Sequence, residues 1–162
     1  MKDCCTILLQ RNLPDVTNKT GDVILENSSD ITDFYVVESG SDEDKLSKFV
    51  DATFHANWKE AKEKGLRTGR GFNYGLSELE KLGKKYKYYF LVTGDTLFDQ
   101  KNTVDILYNE MENNPQMGIL TPLSFKWGNE FSHLWNKNKT SYVALVPHVA
   151  WMVRGELIDI IA

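Results

Sequence analysis

The residues able to do chemistry in this chain sit where apolar runs break off. Residues 86–92 read Tyr, Lys, Tyr, Tyr, Phe, Leu, Val, and the run stops at Thr93, Gly94, Asp95 and Thr96. A carboxylate at the C-terminal end of a buried strand, beside a glycine that lets backbone or ligand come close, lies where open α/β sheets bind their ligands. Asp95 is therefore the expected centre of a site, the alternative being a polar turn in which it caps the next helix. Residues 33–37 form a second strand-like run, and it too gives way to an acid and a glycine turn, at Glu38, Ser39, Gly40, Ser41 and Asp42. Here the alternatives are that Glu38 caps its own turn and that Asp42 caps a helix.

A third stretch, Arg67, Thr68, Gly69, Arg70, Gly71, Phe72, Asn73, Tyr74 and Gly75, is rich in glycine and leads into a helix. Glycines before a helix N-terminus let an anion approach backbone N–H donors, and Arg70 adds a guanidinium fork. The alternatives are a close helix–strand contact and a surface arginine. Trp151 stands in a Val-Ala-Trp-Met-Val run that suits a core tryptophan, just after His148. His55 and His133 have no partner at metal-ligand spacing and read as structural.

The elements that position these residues alternate between strand and helix. Apolar runs at 4–9, 33–37, 53–57, 86–92, 117–120, 142–146 and 149–153 predict strands. Helices are expected over 17–28, 42–50, 58–64 and 103–113, in the stretch that ends at Leu82, and from Arg154 onward. Gly65 closes the third helix, and Val104, Leu107, Tyr108 and Met111 share one face of the 103–113 helix. Residues 125–139 carry Trp127, Phe131, His133 and Trp135 without a clear period and read as a long functional loop.

The 162 residues suit one domain, and the fractions of 41% hydrophobic and 26% charged residues are those of a globular protein. A net charge of -4, with no dense basic cluster beyond 81–87, argues against a nucleic-acid partner. Cys4 and Cys5 are adjacent, so on a strand they point to opposite faces and are expected as reduced thiols in a cytoplasmic protein. No run of some 18 apolar residues is present to span a membrane. A membrane surface stays open through a partner or a further segment. The apolar face of the last helix, with Leu157, Ile158, Ile160 and Ile161, suggests a piece of a longer chain.

Neither GxxxxGK[ST] nor a GxGxxG after the first strand occurs. Over nearly its whole length the chain instead resembles family 2 glycosyltransferases of the GT-A fold, a Rossmann-like three-layer α/β/α sandwich with a mostly parallel central sheet. Four places carry the resemblance: Gln10, Arg11 and Asn12 after the first strand; Glu38 to Asp42 after the second; Gly71, Asn73 and Gly75 at the central helix; and Thr93, Gly94 and Asp95 in place of an Asp-x-Asp. The resemblance implies transfer of a sugar from a UDP- or GDP-linked donor to a glycan, lipid or protein hydroxyl, with inversion. It implies nucleotide contacts from Gln10, Arg11, Asn12, Glu38, Arg70, Asn73, Gly94 and Asp95, with Glu38 on the base or ribose and Arg70 on the phosphates. Asp95 would ligate Mg²⁺ or Mn²⁺, with substrate oxygens and water completing the shell. Arg154 resembles an arginine on the acceptor side, where His148 and Trp151 would line an acceptor pocket, since aromatic faces stack on sugars. Thr93 departs from the pattern by replacing the first acid, and the catalytic base would lie beyond Ala162. A nucleotidyltransferase and a non-catalytic domain that binds a sugar nucleotide are the alternatives.

Overall fold

Strand β1 (Cys4–Gln10) is buried along its whole length, and its alternate side chains enter different layers. Cys4 and Leu8 join one apolar cluster, while Cys5, Ile7 and Leu9 join the other. The same division holds for Phe34 and Val36 against Val37 in β2 (Thr32–Glu38), and for Tyr88, Phe90 and Val92 against Tyr89 and Leu91 in β4 (Tyr88–Thr93). A strand covered on both faces has no polar alternation to show, which is why these runs are continuously apolar. A computed structural model describes residues 2–122, 140 and 149–161.

The six strands are ordered β3-β2-β1-β4-β6-β5, with β3 at Thr53–His55, β5 at Ile119–Leu120 and β6 at Ala150–Arg154. The pairs β1–β2, β1–β4 and β2–β3 are parallel, whereas β6 lies antiparallel to both β4 and β5. Helices α1 (Pro14–Ser28) and α4 (Thr103–Asn113) cover one face through Ile24, Val104, Leu107 and Met111. Helices α3 (Thr68–Lys81) and α5 (Gly155–Ile161) cover the other through Phe72, Leu79, Leu157 and Ile158. The short α2 (Lys59–Lys64) precedes α3. This is the Rossmann-like three-layer α/β/α sandwich with a mostly parallel sheet.

Three expectations need correction. The helix expected over 42–50 is two 3₁₀ turns, Glu43–Lys45 and Val50–Ala52, joined by extended backbone. Side chains have captured the amides a helix would have used, since Ser47 N donates to Glu38 and Lys48 N to Asn18. Helix α1 begins at Pro14, earlier than expected, because proline loses nothing in the first turn. Helix α3 already begins at Thr68, so Gly69, Gly71 and Gly75 are helical residues and not a turn before the helix. The strand expected over 142–146 and the loop over 125–139 lie outside the described residues. Cys4 and Cys5 are buried free thiols, with burial pushing Cys4 up to about 12 and Cys5 well above its ordinary value.

Candidate active site

The parallel register brings the predicted residues to one edge. Gln10 lies opposite Glu38 on β2, and Leu9 lies opposite Thr93 on β4, so the three strands end together. Glu38 and Asp95 therefore belong to the same edge of the sheet. Just past β4 the chain turns through Thr96 N donating to Thr93 O at 3.1 Å. Gly94 N donates to Leu9 O at 2.6 Å, and a Cβ at Gly94 would lie 2.7 Å from Gln10 Cβ. Val149 O accepts from Thr93 N at 2.9 Å and from the Thr96 hydroxyl at 3.2 Å, and Thr20 on α1 donates to Thr96 O. The turn is thus fastened to β1, α1 and the start of β6. Asp95 is left exposed, with Thr93 Oγ1 donating to its Oδ1 at 2.7 Å.

The other predicted residues divide sharply. Glu38 is 2% exposed, on the same face of the sheet as Phe34 and Val36. It accepts from Gln10 Nε2 and, at 2.8 Å, from Ser47 N. Arg11 donates to Lys62 O at 2.9 Å and Glu63 O at 3.4 Å, and so caps the C-terminal carbonyls of α2. Asn12, with a φ of 57°, takes the left-handed conformation that asparagine tolerates. Its side chain donates to Asp42 Oδ2 at 2.9 Å and accepts from Asp42 N at 2.8 Å, while its N–H donates to Ser41 Oγ at 3.3 Å. This clamp between the ends of β1 and β2 is a feature that sequence reasoning missed. The asparagine two residues past the end of β1 was its signal.

Arg70 is exposed and its Nη1 lies 3.1 Å from Glu60 Oε1, a hydrogen-bonded pair that holds the Glu60 carboxyl below its ordinary range. Asn73 is exposed, and Gly71 and Gly75, neighbours on the helix, are buried. Trp151 packs edge-on to Phe72, with centroids 5.8 Å apart, in the layer between sheet and α3. The core reading describes that contact better than an acceptor pocket does. His148 and His133 lie outside the described residues. Arg154 lies away from these residues: β6 runs antiparallel to β4 and pairs Arg154 with Tyr88, at the opposite end of β4 from Thr93. There it donates to Met117 O, Met111 O and Tyr88 Oη, each at 3.1 Å.

Among the described residues no group of three His, Cys, Asp or Glu side chains could hold a metal alone. An exposed carboxylate such as Asp95 is the kind of donor that suits a hard cation whose remaining ligands come from outside the protein.

An α/β sheet with helices on both faces and most of its strands parallel defines the class to which this chain belongs, the Rossmann-like α/β folds. No protein-family model and no curated protein matches the sequence. Among solved structures the chain is similar to the mannosyltransferase PcManGT from Pyrobaculum calidifontis in complex with GDP-Man and Mn²⁺, with a TM-score of 0.74 and 14% identity. The match covers 99% of this chain and 46% of that one, so the chain spans just under half the length of the mannosyltransferase. It is also similar to CMP:2-keto-3-deoxy-manno-octonic acid synthetase complexed with CTP, with a TM-score of 0.59 and 10% identity over 98% of this chain and 76% of that one. At these identities the likeness shows a shared fold.

Proposed function

We propose that the chain is a nucleotide-sugar-binding domain of a glycosyltransferase, which moves a sugar from a nucleoside diphosphate to an acceptor hydroxyl with inversion. The observation that carries this reading is the exposed Asp95 carboxylate, held by Thr93 at the edge where β1, β2 and β4 end. In the proposed reaction the bond from the anomeric carbon to the diphosphate oxygen breaks as the acceptor oxygen forms its own. The nucleoside diphosphate leaves with the electron pair, and the acceptor proton passes to a general base. Mg²⁺ or Mn²⁺, when bound at Asp95, would supply positive charge against the departing diphosphate.

The chain's own residues set the geometry. The Gly94 backbone holds the turn tight on Gln10 and Leu9, so Asp95 is presented on a rigid element. Arg11 and Arg70 are engaged, by α2 carbonyls and by Glu60, so phosphate charge would fall to Asp95 and its cation unless Arg70 leaves its exposed partner. The assignment of Glu38 to base or ribose loses support from its burial. Glycan, lipid and protein acceptors all remain compatible with the reading.

A nucleotidyltransferase is the second reading, favoured by the likeness to the CTP-bound synthetase. Calorimetry separates the two, with GDP-mannose, a UDP-sugar and CTP titrated with and without Mn²⁺. Binding of a diphosphate sugar that depends on Mn²⁺ and drops by about tenfold or more in Asp95→Ala is the expected result, the scale of one lost charge-assisted contact. CTP binding in preference to both sugars would move the assignment to nucleotidyl transfer. Absence of binding by all three would overturn both.

A further inference from the structure

We infer that Glu38 and Gln10 form a buried latch that positions both loops bordering the candidate site, and that neither side chain touches the ligand. The inference rests on the proposed nucleotide site at this edge, and it reassigns two of the residues from which contact was expected.

The two side chains are opposite each other in register and share the face of the sheet that α1 covers. Both are 2% exposed. Every polar group of the Gln10 amide is engaged. Its Nε2 donates to Glu38 Oε2 and to Lys45 O, the latter at 3.2 Å, and its Oε1 accepts from Leu13 N at 2.9 Å. Glu38 adds the bond from Ser47 N to its other oxygen. One pair of side chains therefore ties down the turn that leads into α1 and two points of the irregular segment that follows β2. That segment needs such ties, since its 3₁₀ turns hold few backbone bonds of their own.

A carboxylate with a donor on each oxygen and only 2% of its surface exposed presents almost nothing to a ribose or base. Releasing it would strand the Ser47 amide and the Gln10 amide in a buried setting, a cost of the same order as any hydrogen bond it could make to a ligand. The clamp of Asn12 on Ser41 and Asp42 joins the same two loops at the surface, so the latch lies beneath an outer tie. Latch and clamp together make the loops after β1 and β2 one rigid wall, leaving Asp95 across β1 as the group free to meet a ligand.

Amide hydrogen exchange on the 162-residue chain without nucleotide, followed by GDP titration with Mn²⁺, tests this. Glu38→Ala should speed exchange over 41–48 by about tenfold or more, the scale of a lost buried hydrogen bond, while amides in β1 and β4 keep their protection. Affinity for GDP should fall with it. Glu38→Gln points an amide donor at the Gln10 donor and should act in the same direction. The reciprocal exchange, Gln10→Glu with Glu38→Gln, restores a donor facing an acceptor between the two side chains and keeps acceptors for Leu13 N and Ser47 N, while it gives up the bond to Lys45 O. It should therefore recover protection at Ser47 and part of the GDP affinity relative to Glu38→Gln alone, which a direct ligand contact by Glu38 would not do. Loss of GDP affinity in Glu38→Ala with unchanged exchange over 41–48 would overturn the inference, as would failure of the reciprocal pair to recover protection at Ser47. Because exchange is read without nucleotide, the latch stands or falls on it even if the unmodified chain binds no GDP, a result that would count against the transferase reading alone.

Discussion

Asp95 owes its exposure to its neighbours. Gly94 lies against β1 with a Cβ position 2.7 Å from Gln10 Cβ and 2.8 Å from Leu9 O, and backbone cannot move aside as a side-chain tip can. Gly94→Ala should therefore cost about 1–3 kcal/mol, the range for overpacking a closed contact, and it should displace Asp95 with the turn. Urea unfolding measures the first effect and Mn²⁺-dependent nucleotide binding the second. Unchanged values of both would mean that the turn does not hold Asp95 in place. The place of Asp95 just past a strand end was legible in the sequence because an apolar run broke off at a glycine and an acid, a purely local signal. Glu38 gave the same local signal, yet its carboxylate turns under the loop toward Gln10. Whether a strand-end acid faces the edge or the layer below depends on which residue the neighbouring strand places opposite it. That pairing joins positions far apart in the chain.

Helix α3 shows the same division at the scale of an element. Its existence and its end near Leu82 could be read from the sequence, but its start could not, since glycines at 69, 71 and 75 look like a turn. Propensity loses here to packing. A Cβ at Gly71 would meet the Leu9 side chain at 2.5 Å, and one at Gly75 would meet Val37 at 2.9 Å, so two of these glycines let α3 lie close on β1 and β2. Gly69 has nothing within 4 Å of its Cβ position. The buried glycines and the open one should respond with opposite signs. Gly71→Ala is expected to destabilise by about 1–3 kcal/mol through overpacking. Gly69→Ala is expected to stabilise by up to about 1 kcal/mol, the difference in helix propensity. Chemical denaturation of the two variants decides the matter. A loss of stability in Gly69→Ala would mean that this residue serves something other than the helix. The segment 42–50 failed in the other direction, because its opening acids suit the first turn of a helix while Glu38 and Asn18 held the amides that the helix required.

Across the whole molecule the sheet has a chemical edge and a stapled edge. At the stapled edge Tyr86 Oη donates to Asp33 at 2.8 Å and Tyr108 Oη to Asp3 at 2.9 Å. Burial, aided by those carboxylates, raises both phenols, Tyr108 to about 12, while burial raises the Cys4 thiol from 9.0 to about 12. A group whose folded pKa lies above its unfolded one contributes stability that is complete below the unfolded value and is lost as pH rises through the folded one. Stability should thus hold near pH 8 and fall between about pH 9 and 12. Urea midpoints at pH 8 and pH 10.5 would show the fall. The native thiols should also resist iodoacetamide at pH 8 until urea is added.

Arg154 tests the separation of the two edges most directly. Its guanidinium lies over the Tyr88 ring, 5.2 Å from the centroid, and donates to carbonyls at Met111 and Met117. It thereby joins α4, the segment before β5, and β4 at the end remote from Asp95. Arg154→Met keeps much of the apolar stem and removes the donors, so it should cost about 2–3 kcal/mol, the range for bonds to a charged group. Nucleotide affinity and its Mn²⁺ dependence should not change, because six residues of β4 separate the two ends by about 17 Å at strand rise. A staple predicts that split between stability and binding. If Arg154→Met instead weakened nucleotide or acceptor binding while the urea midpoint stayed in place, Arg154 would belong to the site after all, and the antiparallel pairing of β6 with β4 would have to be wrong.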